Sequence, residues 1–361
     1  MATGRFGEAV STSKTAKVKP CVTFFLKAVV VLAATGVVLL FAGQVVEPRQ
    51  LPGLVLINYV PFPAYLLPVV VALLASWALG WMWRVLAMAC LAFTLTVLMG
   101  LAWGQPDEGH GRVRFMTYNV KAYLASKTPD GFAKLAQEIN EHQPDILVLQ
   151  DAQTLSSGQN GRERDPLSEV VSQRREVFQH GQYVVASRWP LSDCRVGGIP
   201  IGGQPHGFVH CVVTAHGKRF NVVTAHFLSP RDGLNAARKE GMEGMGDWQQ
   251  NMLARLQQTG MLAEHLRQMS GPIVLGGDLN APEASAVVQT LLNTGLRDAF
   301  SSAGRGYGYT YGHALLRGLS FLRIDHVLVS HDIGVVRAFP GGAEASEHRP
   351  LIADLVLNRQ P

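Results

Sequence analysis

Residues 21–46 form an apolar run interrupted only by Lys27 and Gln44. A run this long is enough to cross a bilayer, which takes about 20 apolar residues. A helix lying on the surface of a soluble domain needs a polar face, and this run has none. Lys27 lies near one end, where its ammonium can reach toward headgroups. Residues 51–63 carry Pro52, Pro61 and Pro63 and read as a loop. Two more apolar runs follow, 63–80 and 85–103, separated by Trp81-Met82-Trp83-Arg84, the mixture of aromatics and a cation typical of a membrane interface. We therefore expect three spans. A cleaved signal peptide would have a shorter apolar run and a small-residue cleavage site. The positive-inside rule keeps the polar tail 1–20, with Arg5, Lys14, Lys17 and Lys19, and also Arg84, in the cytoplasm. Three crossings put everything after Trp103 on the far side, which in a bacterium is the periplasm. An even count would reverse that side.

Charge divides the chain at the same place. Residues 1–103 hold 7 Lys+Arg and 2 Asp+Glu, and the remainder holds 25 of each sign. All 12 histidines lie beyond Trp103. The basic pI of 9.1 thus belongs to the N-terminal third, and the rest is a neutral, His-rich piece. A general nucleic-acid binder would carry a basic footprint there.

After a polar linker, 104–112, short β-like runs alternate with helical segments. Residues 113–120, 146–149, 183–186, 209–214, 221–225, 273–275, 324–329 and 351–357 read as strands. His216-Gly217-Lys218 is a hairpin turn between two of them. Residues 131–143 and 252–269 read as helices, the second stopped by Gly271-Pro272. Many strands with few helices in one unit point to an α+β domain over 113–361, with two packed sheets and helices outside. Cys194 and Cys211 fall on neighbouring candidate strands and could pair outside the cytoplasm.

Polar residues follow these strands at their C-terminal ends: Asn119 after MTY, Gln150-Asp151 after ILVL, His226 after NVVTA, and Asp278 with Asn280 in GGDLN. Asp325 lies in RIDHV, and Glu347 and His348 in SEHRP. Alone, an Asp after a strand is usually a turn residue; the ordered set is not explained that way. The set resembles the endonuclease/exonuclease/phosphatase superfamily, with the deoxyribonuclease I-like fold, over about residues 113–357. GDLN at 277–280 and IDH at 324–326 are its most specific pieces. The resemblance implies a four-layer αββα sandwich and metal-dependent cleavage of phosphoester bonds with Mg²⁺ or Mn²⁺. It places Asn119 and Asp151 at the metal, with Glu347 nearby. It makes Asp278 the residue that orients or deprotonates the attacking water, and Asn280 the holder of a phosphate oxygen. His226 and His348 would donate to the phosphate, with Asp325 orienting His348.

The chain departs from that pattern three times. The usual Gln-Glu is Gln150-Asp151, the usual Ser-Asp-His is Ser346-Glu347-His348, and the carboxylate often found two residues past the asparagine is Lys121. One acid loses a methylene and the other gains one, about 1.5 Å of reach each way. If Asp151 and Glu347 face one ion, the two changes compensate. Lys121 adds a cation where a second ion would sit, so we expect a one-metal site.

Residues 232–251 and 307–321 would flank this site, the second with Leu315, Leu316, Leu319 and Phe321. Apolar residues beside a phosphate site, on a domain tethered close to a bilayer, suit a phospholipid-type substrate. The alternatives are an extracytoplasmic nuclease, disfavoured by the neutral charge of the domain, and a catalytically silent phosphate-binding adaptor. The expected localisation is the bacterial inner membrane, multi-pass, with the catalytic domain on the periplasmic or extracellular side.

Overall fold

In the strand Gly109–Asn119 (β2), Val113 and Phe115 point to one face and Met116 and Tyr118 to the other, and all four are buried. A strand apolar on both faces must be covered on both, and that requirement builds the layers. The computed structural model describes residues 19–46, 48–155, 165–171, 175–201, 204–316 and 318–359. Residues 1–18 of the polar tail, with Arg5, Lys14 and Lys17, lie outside the described residues.

One six-stranded sheet has the order β13 (Gly334–Pro340), β14 (Leu351–Arg359), β2, β3 (Ile146–Gln150), β5 (Tyr183–Ser187), β4 (Glu176–His180). The other has the order β10 (Leu296–Asp298), β12 (Asp325–Ser330), β9 (Ile273–Asp278), β8 (Lys218–His226), β7 (Gln204–Ala215), β6 (Leu191–Ile201). A small pair, β1 (Ala102–Trp103) with β11 (Arg305–Gly306), lies apart from both. Val113, Phe115, Ile146 and Val148 of the first sheet pack against Val209, Val222, Val274 and Val327 of the second. Gly276 allows this approach, since a Cβ there would lie 2.5 Å from the Phe115 ring.

The pairs β2–β3 and β8–β9 are parallel, and parallel neighbours need a crossover. The helix Gly131–His142 supplies the first, packing Phe132, Leu135 and Ile139 on the outer face of its sheet. The helix Met245–Gln268 lies in the second, with Leu262, Ala263 and Leu266 on the outer face of the other. The result is the α+β, four-layer αββα architecture expected from the sequence. The expected hairpin turn joins β7 to β8, with positive φ at His216 (51°) and Gly217 (75°), the geometry that suits the twist of a two-residue hairpin. Cys194 and Cys211, on β6 and β7, are joined in a disulfide.

Some elements were hidden in the sequence. β6 contains Gly197-Gly198 and Pro200, which read as turn residues. The Phe208 ring lies over Gly197, where a Cβ would approach to 2.0 Å, so packing demands the glycine that obscures the strand. Residues 232–251, expected only to flank the site and assigned no helix from the sequence, form the helix Arg231–Glu240 and the first turns of Met245–Gln268.

The structure overturns the expectation of a multi-pass inner-membrane protein with an exported domain. Among the described residues two helices are long and apolar enough to cross a membrane, Pro20–Val45 and Trp81–Leu98, and the apolar helix between them, Phe62–Ser76, is too short. Its α-helical part has 11 residues, a rise of about 17 Å against the ~30 Å of a hydrocarbon core. Prolines 61 and 63 leave its start as a 3₁₀ turn. The odd count on which the exported domain depended is gone. The helices instead adjoin the sandwich, where Phe62, Tyr65, Leu98 and Met99 share a core with Tyr309, Phe321, Leu322 and Ile324.

At one end of the second sheet, Asp298 caps the helix Ala299–Ala303 through Ser301 N–H at 2.9 Å and pairs with Arg323 at 2.7 Å and His326 at 2.9 Å. Burial alone would raise its carboxyl, but the Arg323 and His326 charges and hydrogen bonds hold it well below the usual carboxylate range. A depressed carboxyl contributes stability above its unfolded value, about 3.9, and loses it as pH falls through the folded value. In urea titrations Asp298→Asn should lose about 3 kcal/mol near pH 7, and below about pH 4 its stability should fall less steeply than that of the wild type. Equal midpoints for the two proteins near neutrality would contradict this account.

Candidate active site

Strand register brings the polar residues to one edge. In the second sheet His226 is paired with Asp278 across the parallel β8–β9 pair, and Asp325 is paired with Asp278 across the antiparallel β9–β12 pair. In the first sheet Asn119 is paired with Gln150. The two edges are joined by a bond from Asn119 Nδ2 to Asp278 Oδ2, 2.9 Å. Gln150 turns inward and donates to Thr117 Oγ1 at 3.1 Å and Thr224 Oγ1 at 2.9 Å, tying the sheets together beneath the site.

Asp278 is the centre. Its Oδ2 lies 3.4 Å from His226 Nε2 and 3.7 Å from His348 Nε2, and its Oδ1 accepts from Asn280 N–H at 2.9 Å. Burial would push this carboxyl up. His348, His226, Lys121 and the Asn119 amide together overcome burial and hold it below its ordinary value. His348 Nδ1 lies 2.9 Å from Asp325 Oδ2. Burial disfavours the imidazolium of His348, but Asp325 and Asp278 outweigh it and raise the pKa. His226 Nδ1 lies 2.6 Å from Gln182 Oε1 and 3.5 Å from Asp151 Oδ1.

Asp151 faces Lys121, whose ammonium lies 2.6 Å from Asp151 Oδ2. Burial works against that ammonium, and Asp151 and Asp278 more than restore it, so its pKa is raised. Both residues have left-handed backbone, φ 43° at Lys121 and 53° at Asp151. Glu347 lies apart from this pair, 3.9 Å from Arg231 Nη2. Asn280 places its side chain on the Phe227 carbonyl at 2.8 Å. Sequence reasoning missed Gln182, Arg231 and Tyr311. Tyr311 accepts from Arg231 at 3.2 Å and lays its ring 4.9 Å from that of His348. Gln182 lies in a turn, Arg231 at a helix start and Tyr311 in an isolated β-bridge to Leu322 and His348, places where residue type carries little signal.

The candidate donors differ in how free they are to meet a divalent ion. Asn119 Oδ1 accepts from Lys121 N–H at 3.2 Å, Asp151 holds Lys121, and Glu347 faces Arg231. Asp278, Asp325 and His348, by contrast, bring ligand atoms within 4.8 Å of one another. Asp325 Oδ1 is buried and without a hydrogen-bond partner among the described residues, a state that carries a desolvation penalty unless a cation or donor meets it. Two carboxylates and an imidazole at this spacing are a donor set that could hold a divalent ion.

Comparison with known proteins follows the same line. Residues 116–348 match the endonuclease/exonuclease/phosphatase family. The crystal structure of an endonuclease/exonuclease/phosphatase from Beutenbergia cavernae superposes with a TM-score of 0.53 at 20% identity, covering 69% of this chain and 72% of that one. A second, from Bacteroides vulgatus, gives 0.52 at 19% identity, over 68% of this chain and 99% of the other. Truncated Caenorhabditis elegans TDP2 gives 0.51 at 18% identity, over 68% and 97%. These likenesses show a shared fold. No curated protein matches the sequence. With the family match over most of the sandwich and the Asp/Asp/His cluster at its edge, the chain is a metal-dependent hydrolase and belongs to the endonuclease/exonuclease/phosphatase family.

Proposed function

We propose that the chain hydrolyses a phosphoester with Mg²⁺ or Mn²⁺ at the edge where the two sheets meet. The observation that carries this reading is that Asp278, Asp325 and His348 each bring a ligand atom within 4.8 Å of the others, while Asp325 Oδ1 has no hydrogen-bond partner among the described residues. These three residues would hold the ion, His348 as neutral imidazole. A bound divalent ion supplies positive charge to the phosphate and acidifies water. Asp278, kept ionised by its neighbours, orients the attacking water. Asp325 fixes the His348 ring through Nδ1. On the other side of Asp278, His226 and the Lys121 ammonium face the phosphate charge, with Gln182 fixing His226 through its Nδ1. Asn280 retains one amide N–H beyond its bond to Phe227, which serves a phosphate oxygen.

A second seat for the ion, on Asn119, Asp151 and Glu347 as the family resemblance implies, requires the Lys121 ammonium to leave Asp151. The substrate class we favour is a phosphodiester or phosphomonoester bearing an apolar group, as in phospholipids. The loop after Tyr311 supports this, exposing Leu315, Leu316 and Leu319 at 65%, 46% and 49%. Zero net charge over residues 104–361 argues against nucleic acid.

Asp278→Asn and His348→Ala should each lower hydrolysis of a chromogenic diester by at least about 100-fold with circular dichroism unchanged. Near-normal turnover in either variant would remove the catalytic assignment. For the metal, calorimetry with Mn²⁺ should show affinity lowered about 10–100-fold or more in Asp325→Asn and unchanged in Lys121→Met. Tighter binding in Lys121→Met, with Asp325→Asn unaffected, would move the ion to Asp151. Finally, the purified protein with Mn²⁺ should cleave lysophospholipid or sphingomyelin in preference to plasmid DNA, and EDTA should stop the reaction. Preferential cleavage of the plasmid would replace the lipid reading with a nuclease.

A further inference from the structure

Tyr59 precedes Asn280 by 221 residues and touches it. The segment that carries Tyr59, between the first and second apolar helices, is anchored on the helix Met245–Gln268. Trp248, fully buried, donates from Nε1 to the Pro52 carbonyl at 2.7 Å. Its ring meets that of Tyr59 edge to face at 5.6 Å, and Val55 and Met252 close the cluster around it.

About two turns beyond Trp248 on the same helix lies Arg255, 2% exposed. Its guanidinium stacks on the Tyr59 ring at 5.4 Å, donates from Nη1 to the Tyr59 hydroxyl and donates from Nη2 to the Asn280 carbonyl at 2.5 Å. The Tyr59 hydroxyl donates to the same carbonyl at 3.3 Å. Among the described residues no carboxylate pairs with Arg255, and its Nε has no partner. Burying a guanidinium without a counter-charge is expensive, so this arrangement is a poor device for stability alone. What it grips is the turn that follows β9. Asn280 has left-handed backbone, φ 51°, a conformation asparagine tolerates better than most residues, and here it is held from several sides. Its N–H is fixed by Asp278 Oδ1, its side chain by the Phe227 carbonyl, and its carbonyl by Arg255 and Tyr59.

We propose that Tyr59 and Arg255 are positioning residues for this site: the N-terminal segment, docked through Pro52, Val55 and Tyr59, clamps the Asp278–Asn280 turn in its working geometry. The inference rests on the reading of Asp278 and Asn280 as site residues. The N-terminal segment is thereby part of the hydrolase rather than a tether to it, and turnover depends on its docking.

The test uses the full chain. Tyr59→Phe removes one hydroxyl and keeps the ring against Trp248 and Arg255. It should lower kcat on a chromogenic diester about 10-fold with KM within about 2-fold, since small displacements of reacting groups cost far more rate than affinity. Hydrogen exchange read by mass spectrometry should quicken at residues 277–281 and stay unchanged in β2 and β3. Arg255→Lys, which keeps the charge but loses the fork, should show the same split. The double variant should be no worse than the poorer single one, as expected of groups acting through one carbonyl. Wild-type kcat in Tyr59→Phe would overturn the proposal. If the wild type cleaves no phosphoester, the functional reading fails instead, and quickened or unchanged exchange at 277–281 still decides for or against the clamp.

Discussion

A buried carboxylate governs this molecule. Asp278 is almost entirely out of solvent, and an ionised acid there is tolerable only if donors and cations surround it. Its neighbours come from both sheets and from the loops beyond them: Asn119 from β2, His226 from β8, Asn280 from the turn after β9, and Lys121 and His348 from the connecting segments. Satisfying Asp278 therefore requires the two sheets to be aligned at this edge. The Gly276–Phe115 contact and the Gln150 hydrogen bonds to Thr117 and Thr224 set that alignment a short distance inside.

The same electrostatics explains the departures from the family pattern. Shortening the acid at Asp151 and placing a lysine at Lys121 yields a tight, mostly buried ion pair. The pair brings a fixed positive charge next to Asp278. The longer Glu347 does not follow Asp151 inward; it reaches toward Arg231, which also binds Tyr311. The length exchange between the two acids, which in one dimension looks compensatory, has in space a different consequence. Each acid has its own cation, and the convergent donors are Asp278, Asp325 and His348.

The N-terminal third brings a separate constraint. Its helices expose large apolar side chains such as Phe24, Leu32, Leu74 and Trp81, yet they also bury Val37, Phe62, Tyr65 and Leu98 against the loop that leads into β12. Helix length alone removed the third span, and with it the orientation argument. The contacts with Trp248 and Arg255 link this region to the turn after β9, so the apolar third and the sandwich cannot be treated as independent pieces.

Much of the sandwich was legible because periodicity is local: β2, β3, β8, β9, β12 and β14 each show their apolar residues in the sequence, and their polar ends mark the sheet edge. Asn119, His226, Asp278 and Asp325 are legible in this way as residues at strand ends, and Asn280 and His348 lie two and three residues from one. β6 was missed because its glycines serve a packing need, the Phe208 ring, that lies on another strand. The helix Arg231–Glu240 was missed because its glycine and polar residues look like a loop until its neighbour helix is in place. The sequence alone determined which strands exist, their approximate order of chemistry and the apolar character of the first third. Only the tertiary structure decided which acids share a space, that Lys121 belongs to Asp151 and Glu347 to Arg231, and that Tyr59 reaches Asn280. Those outcomes depend on distances between residues far apart in the chain, and distance across space is not encoded in local pattern.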